Sequence, residues 1–298
     1  MLPALAKMFA LVRDLSARRE VTEIPASRWL VHRHSLGALA ALAGVSQLRD
    51  ELAASTVRWI ALTGEMPPLV RRFNDVGIGV APIKGLAYAA GLYEHPAARP
   101  MTDVDLLVQP GCDAAARRVL DRAGFRLRFD IPMHHSSTWE RGAITLDLHR
   151  SILPTGRGRL ALDEIWARTR PGWPEGARRL ESTDELVFHL LHMVRDRLCG
   201  PLIQVVDAAR LLEHASVRDA LDRAESWRVD AAVAAAATYC VAILDETRMP
   251  RLAPSEREVL FSWQPTRARK LVFDIRTAGS VQQLVARLVG AAMQRLAS

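Results

Sequence analysis

The chain has 298 residues, 49% of them hydrophobic and 24% charged. That is enough apolar material to bury the core of one large or two modest domains, and too much for a disordered chain. The formal charge of +7 comes almost wholly from scattered arginines, with lysine only at Lys7, Lys84 and Lys270. No basic run interleaved with aromatic residues is present, which disfavours nucleic acid as a partner. No segment approaches the roughly 18 apolar residues of a membrane span.

Cys112, Cys199 and Cys240 lie far apart and follow no metal or redox spacing, as expected of reduced thiols in a cytosol. The first stretch, MLPALAKMFALVRDLSARRE, lacks a long apolar core and an A-x-A cleavage site. It reads as an amphipathic helix and not as a signal peptide, so a cytoplasmic protein without a membrane anchor is the expectation.

Residues 1–70 are helical in pattern and form an N-terminal helical region. Leu36, Leu39, Leu42, Val45, Leu48 and Leu52 recur at helical spacing, until Met66-Pro67-Pro68 interrupts the pattern. Residues 71–160 change character. VGIGVAPIKG (76–85) is a strand closed by Gly85, followed by a helical LAYAAGLYEH and the loop PAARP. DVDLLVQP is a second strand, ended by Pro110-Gly111, and DAAARRVLDRAGF a helix with Asp113 near its start and Gly124 at its end. AITLDLHR (143–150) alternates as a third strand.

In residues 161–298 the strand signals stop. STDELVFHLLHMVRDRL opens with a capping box, Ser182 to Glu185, and PLIQVVDAARLLEHA and VDAAVAAAATYCVAIL continue as helices. The last helix, SVQQLVARLVGAAMQRLAS, carries an apolar stripe through Val281, Leu284, Leu288 and Val289. Such a stripe packs on the protein's own core or on a second subunit, so an oligomer is compatible with it. The expected class is α+β: a small mixed sheet flanked by N-terminal and C-terminal helical regions.

MTDVDLLV (101–108) holds the main chemical signal. Side chains alternate across a strand, so Asp103 and Asp105 leave the face opposite Val104, Leu106 and Val108. In the third strand Ile144, Leu146 and Leu148 point inward, leaving Thr145, Asp147 and His149 on the other side. If the two strands are neighbours, three carboxylates converge on one patch and raise one another's pKa. A divalent cation removes that conflict, and Mg²⁺ suits carboxylates plus substrate phosphates. Two such ions about 3.5–4 Å apart can hold the attacking and leaving oxygens of a phosphoryl displacement. An isolated D-x-D at a wetted strand edge is the plain alternative; Asp147 and the upstream turn weigh against it. At that turn, Lys84-Gly85 ends a strand where a helix starts, a place for phosphate oxygens. Arg99 binds phosphate, orients a carboxylate, or is a plain loop arginine.

The pattern K-G, L-Y, R-P-M-T-D-V-D-L-L-V and D-L-H, over about residues 76–212, resembles the uncharacterised nucleotidyltransferase family of the polymerase-β-like superfamily. DEIWARTRP and the His192 and Asp207 positions belong to the match. The resemblance implies a mixed sheet with Asp103 and Asp105 as metal ligands. Asp147 would be the third carboxylate, binding the catalytic Mg²⁺ or Mn²⁺ and helping deprotonate an acceptor hydroxyl. Lys84 and Gly85 would stand where relatives carry a Gly-Ser pair gripping the triphosphate, a departure that exchanges a hydroxyl donor for a cation. Family members often accompany peptide-maturation genes, notably for lasso peptides, so the implied acceptor is a small molecule or a peptide.

Other residues carry two readings each. His149 contacts the acceptor or a phosphate, or is a hydrogen-bonded partner of Asp147. His134-His135 reads as a solvated pair in a loop. His189 and His192 sit one helical turn apart without a zinc context; His192 lines a substrate cleft or is a satisfied core histidine. Asp207 calls for a partner such as Arg195 or Arg210. Trp139, Trp166 and Trp173 stack on a base or, more commonly, pack.

The expected enzyme is a metal-dependent nucleotidyltransferase moving a nucleoside monophosphate from an NTP to a hydroxyl. Two rivals remain: a sugar-nucleotide glycosyltransferase, in which D-x-D also holds a metal, and a non-catalytic binding protein that keeps the fold.

Overall fold

The computed structural model describes residues 3–24, 27–130, 135–152, 162–248, 273–275 and 277–278. Along the chain, α1 (Pro3–Ser16), α2 (Arg28–Arg33), α3 (Gly37–Leu42) and α4 (Arg49–Asn74) come first. A strand-rich stretch follows: β1 (Val80–Ile83), α5 (Lys84–Gly91), β2 (Val104–Val108), α6 (Asp113–Arg122), β3 (Arg126–Asp130), β4 (Ser136–Arg141) and β5 (Ile144–His149). Next come α7 (Leu162–Arg168) and two short strands, β6 (Arg170–Pro171) and β7 (Arg178–Arg179). The chain is then helical again through α8 (Ser182–Arg195), α9 (Ile203–Leu211), α10 (Val217–Ser226) and α11 (Asp230–Leu244). The expected α+β class is therefore present. The apolar stripe expected at residues 280–298 lies outside the described residues.

Two compact units divide the chain. One takes the described residues of Met1–Leu52 and Ser182–Ser298, the other those of Ala53–Thr155 and Leu160–Glu181.

In the second unit, the sheet has the order β1-β2-β5-β4-β3. Strands β2 and β5 run parallel, and the other neighbouring pairs are antiparallel. Val104, Leu106 and Val108 share one face with Ile144, Leu146 and Leu148, and all are buried against Leu69, Val70 and Phe73 of α4 and Leu120 of α6. Burying each such side chain contributes about 1.5–3 kcal/mol. The same core explains why Met66-Pro67-Pro68 does not end the helix, as the sequence pattern suggests. Two internal prolines cost a helix about 3 kcal/mol each, but the buried face formed by Leu62, Met66, Leu69, Val70 and Phe73 carries α4 through them.

β3 and β4 are not anticipated from sequence. β3 is the sheet edge, exposed along its whole length, so no alternation of buried and wet residues marks it. Arg126 and Arg128 give that edge the positive charge that discourages further strand pairing. β4 begins Ser-Ser-Thr and supplies Trp139 to the core, its indole N–H donating to Ser137 Oγ at 3.0 Å. Gly124, at φ +82°, lets the chain leave α6 and enter β3 in the left-handed conformation that glycine adopts without strain.

In the helical unit, α8 packs on α9, α10 and α11, and α1 on α9 and α11. Asp184 is fully buried and ion-paired to Arg223. Cys240 is buried with its thiol pushed up to about 12 by desolvation, an inert core residue and not a nucleophile. No helix among the described residues is long and apolar enough to cross a membrane.

His34 is expected to make this unit acid-sensitive. It is 3% exposed, and its Nδ1 accepts the Leu202 N–H at 3.4 Å. Burial, aided by the Arg33 charge, lowers its pKa to about 4. A histidine kept neutral when folded contributes stability that is full above its unfolded pKa and is lost as pH falls toward the folded one. Urea unfolding should therefore show a loss of about 2 kcal/mol between about pH 7 and 5 from this residue alone. His34→Gln should flatten that limb; an unchanged acid limb contradicts the assignment.

Candidate active site

The face of the sheet opposite the core carries the acidic residues, and the strand register lines them up. Ile83 is the partner of Asp105, Asp105 of Asp147, and Asp147 of Thr138, so one row crosses β1, β2, β5 and β4. Residues in register on adjacent strands project to the same face, about 5 Å apart, where like charges destabilise a sheet. The next row, Leu107 beside His149 and His149 beside Ser136, brings the histidine to the same patch.

Asp105 is the buried centre. β1 ends at Ile83 and Lys84 opens α5 with φ +53°, a left-handed conformation that costs a non-glycine residue about 1–2 kcal/mol. Its Nζ donates to Asp105 Oδ1 at 2.5 Å. His149, 1% exposed, brings Nε2 to 2.8 Å from the same oxygen. Burial alone would raise the Asp105 pKa, but the Lys84 ammonium and the His149 ring override it and hold the carboxyl well below the usual range. Burial, with the Lys84 charge, lowers the His149 pKa against the pull of Asp105. A neutral imidazole facing a carboxylate donates Nε2–H to it. Its Nδ1 is then a buried acceptor with no hydrogen-bond partner among the described residues. His149 thus bonds Asp105 and not Asp147, the partner offered by sequence proximity.

Asp147 is half-buried and accepts the Thr138 hydroxyl at Oδ1, 2.6 Å. Asp103 precedes β2, half-buried, with Thr102 Oγ1 3.1 Å from its Oδ1. Its pKa is raised by burial first and then by Asp105 and Asp147, with Lys84 opposing. Ligand atoms of Asp105, Asp147 and His149 lie within 4.8 Å of one another. The carboxylates of Asp105 and Asp147 suit a divalent cation, and after burial their two charges are what raise the Asp103 pKa, a negative field that such an ion would offset. The residues present therefore fit a metal. Asp103, expected among the ligands, is not one of that tight trio.

The Lys84-Gly85 turn lies directly beside this cluster. No side chain caps the N-terminus of α5, so its first N–H groups remain available to an anion. A Cβ on Gly85 would meet Met101 Cγ at 3.1 Å and Arg99 Nη1 at 3.2 Å. A side chain there would press Met101 and Arg99 back by a few tenths of an ångström, and Arg99 is brought onto the turn. Arg99 also donates to the Pro100 carbonyl at 2.8 Å.

Three contributors escape a reading of the sequence. Thr138 sits on the unanticipated β4. Arg58 of α4 donates to the Thr102 carbonyl at 2.7 Å and the Ala143 carbonyl at 2.6 Å, tying together the chain ends that lead into both acidic strands. No local signal marks it, because its partners are distant in sequence. His135, read as solvated, is buried, its ring 5.1 Å from that of His149; His134 lies outside the described residues.

The remaining candidates lie on other elements. His192 lies on α8 in the helical unit, its Nδ1 3.4 Å from Gln204 Nε2, and His189 bonds the Gln204 carbonyl at 2.7 Å. Asp207 and Arg210 are both buried on α9. The tryptophans pack: Trp173 stacks on Trp59 at 5.1 Å, and Trp166 fills the space above Gly79.

No curated protein matches the chain. The model of the uncharacterised nucleotidyltransferase family matches residues 29–245, which takes in the whole sheet and helices on either side of it. With most of its length matched, the chain belongs to the uncharacterised nucleotidyltransferase family and is a nucleotidyltransferase enzyme.

Proposed function

We propose that the protein transfers a nucleoside monophosphate from an NTP to a hydroxyl acceptor, with Mg²⁺ or Mn²⁺ as its metal, at the Asp105–Asp147 row. The observation that carries this reading is the register: two carboxylates side by side on adjacent parallel strands, beside an uncapped helix N-terminus that begins with Lys84. Asp105 and Asp147 would hold the ion, His149 would orient Asp105 through its Nε2–H, and Asp103 adds a further carboxylate. When bound, the metal supplies charge neutralisation on the phosphates and Lewis-acid polarisation of the reacting phosphorus.

The chain's own residues do the rest. Lys84, the α5 N–H groups and Arg99 bind the phosphate oxygens and orient the nucleotide. Thr138 fixes Asp147 by its Oδ1, leaving Oδ2 for the incoming hydroxyl. Asp147 Oδ2 accepts the proton as the acceptor oxygen attacks the α-phosphorus and pyrophosphate leaves. The acceptor is a small molecule or a peptide hydroxyl, a lasso peptide being the case the family resemblance suggests.

Incubation with α-labelled NTPs, Mg²⁺ or Mn²⁺ and candidate acceptors tests the reading. Label on the acceptor with release of pyrophosphate is the expected result. Sugar transfer from a sugar nucleotide, or nucleotide binding with no product, contradicts it. Gly85→Ala adds a finer check, since its Cβ would press on Arg99 and Met101. The KM for NTP should rise about tenfold with kcat little changed, the pattern of a lost binding contact.

A further inference from the structure

Asp105, on the carboxylate row that would hold a metal, already has a cation on its Oδ1. Lys84 Nζ stands 2.5 Å away in a contact whose side chains are only 13% and 6% exposed. A divalent ion binds a carboxylate oxygen at about 2.1 Å, which would leave ion and ammonium within about 5 Å of each other in a poorly solvated site. The two compete for Asp105. A displaced ammonium in such surroundings needs another anion, and the triphosphate brings one to the uncapped first turn of α5, which Lys84 itself begins.

We propose that Lys84 is an internal cation lock: it holds the metal position on Asp105 in the nucleotide-free protein and moves to the triphosphate when a metal–nucleotide complex arrives. Metal and nucleotide then bind together, and neither binds well alone. In the resting state Lys84 combines a left-handed backbone, φ +53°, with an ammonium seated on Asp105. This inference rests on the nucleotidyl-transfer reading of the site.

Mn²⁺ binding, read by water-proton relaxation enhancement of protein-bound ion, tests it without turnover. Wild type should bind Mn²⁺ poorly alone and at least about tenfold more tightly with a non-transferable α,β-methylene NTP, within the usual span of coupling between two ligands. Lys84→Met should bind Mn²⁺ alone at least about tenfold more tightly than wild type, and should lose the coupling. Lys84→Gln is a second neutral variant, and the wild-type comparison stands if neither variant folds. Equal Mn²⁺ affinity of wild type with and without the analogue, or no gain in the variants, overturns the lock while leaving nucleotidyl transfer intact. Failure of wild type to bind Mn²⁺ even with the analogue overturns the lock and the transfer reading together.

Discussion

Asp105→Asn is expected to remove activity and stability in one step. The carboxylate is 5% exposed and receives Lys84 and His149 on one oxygen. Without its charge, the metal loses its most buried ligand and transfer should fall by about 10³-fold or more. In metal-free buffer, the Lys84 ammonium would keep its burial but lose its anion. Removing one partner of a buried pair costs about 3 kcal/mol or more. Labelled-nucleotide transfer and urea unfolding of the same preparation read the two effects. An active variant, or one as stable as wild type, contradicts the role assigned to Asp105.

Asp147→Asn separates what Asp105→Asn combines. Among the described residues Asp147 has no cation on it and is bonded by the Thr138 hydroxyl, which an asparagine oxygen accepts equally well. Its charge faces Asp105 in register and raises the Asp103 pKa. Replacing it relieves like-charge repulsion, so the metal-free variant should be as stable as wild type or more so by up to about 1 kcal/mol. Transfer should nonetheless fall by about 10³-fold, since the proton acceptor and a metal ligand are gone. A destabilised but active variant would show Asp147 to be structural.

The contrast between these two aspartates follows from geometry that only part of the sequence displays. ITLDLH alternates strictly, and in VDLLV Val104, Leu106 and Val108 mark the buried face although Leu107 breaks the alternation, so the parity of Asp105 and Asp147 is legible from the chain. Register is not legible. That Asp105 faces Asp147, and that His149 reaches Asp105, depends on the parallel pairing of β2 with β5, fixed by packing between distant segments.

β3 and β4 were hidden for a different reason. β3 alternates Arg-Leu-Arg-Phe-Asp in sequence but is exposed throughout, so that alternation marks no buried face, and β4 opens with three hydroxyl residues, Ser-Ser-Thr, instead of an apolar strand signal. With β4 unseen, Thr138 could not be placed beside Asp147. Pro67 and Pro68 misled because local propensity was overridden by the buried face of α4. The departure from the Gly-Ser grip is visible as Lys84-Gly85, but its consequence, an ammonium seated on the Asp105 carboxylate, appears only once β1 and β2 are paired through Ile83 and Asp105.

The most direct measurement is a crystal structure with Mn²⁺ and an α,β-methylene NTP, with the ion located by its anomalous signal. An anomalous peak shared by Asp105 and Asp147, with the α-phosphate against it and Lys84 moved onto the triphosphate, is the predicted result. Nucleotide bound away from β2 and β5, or manganese that touches neither aspartate, would contradict it.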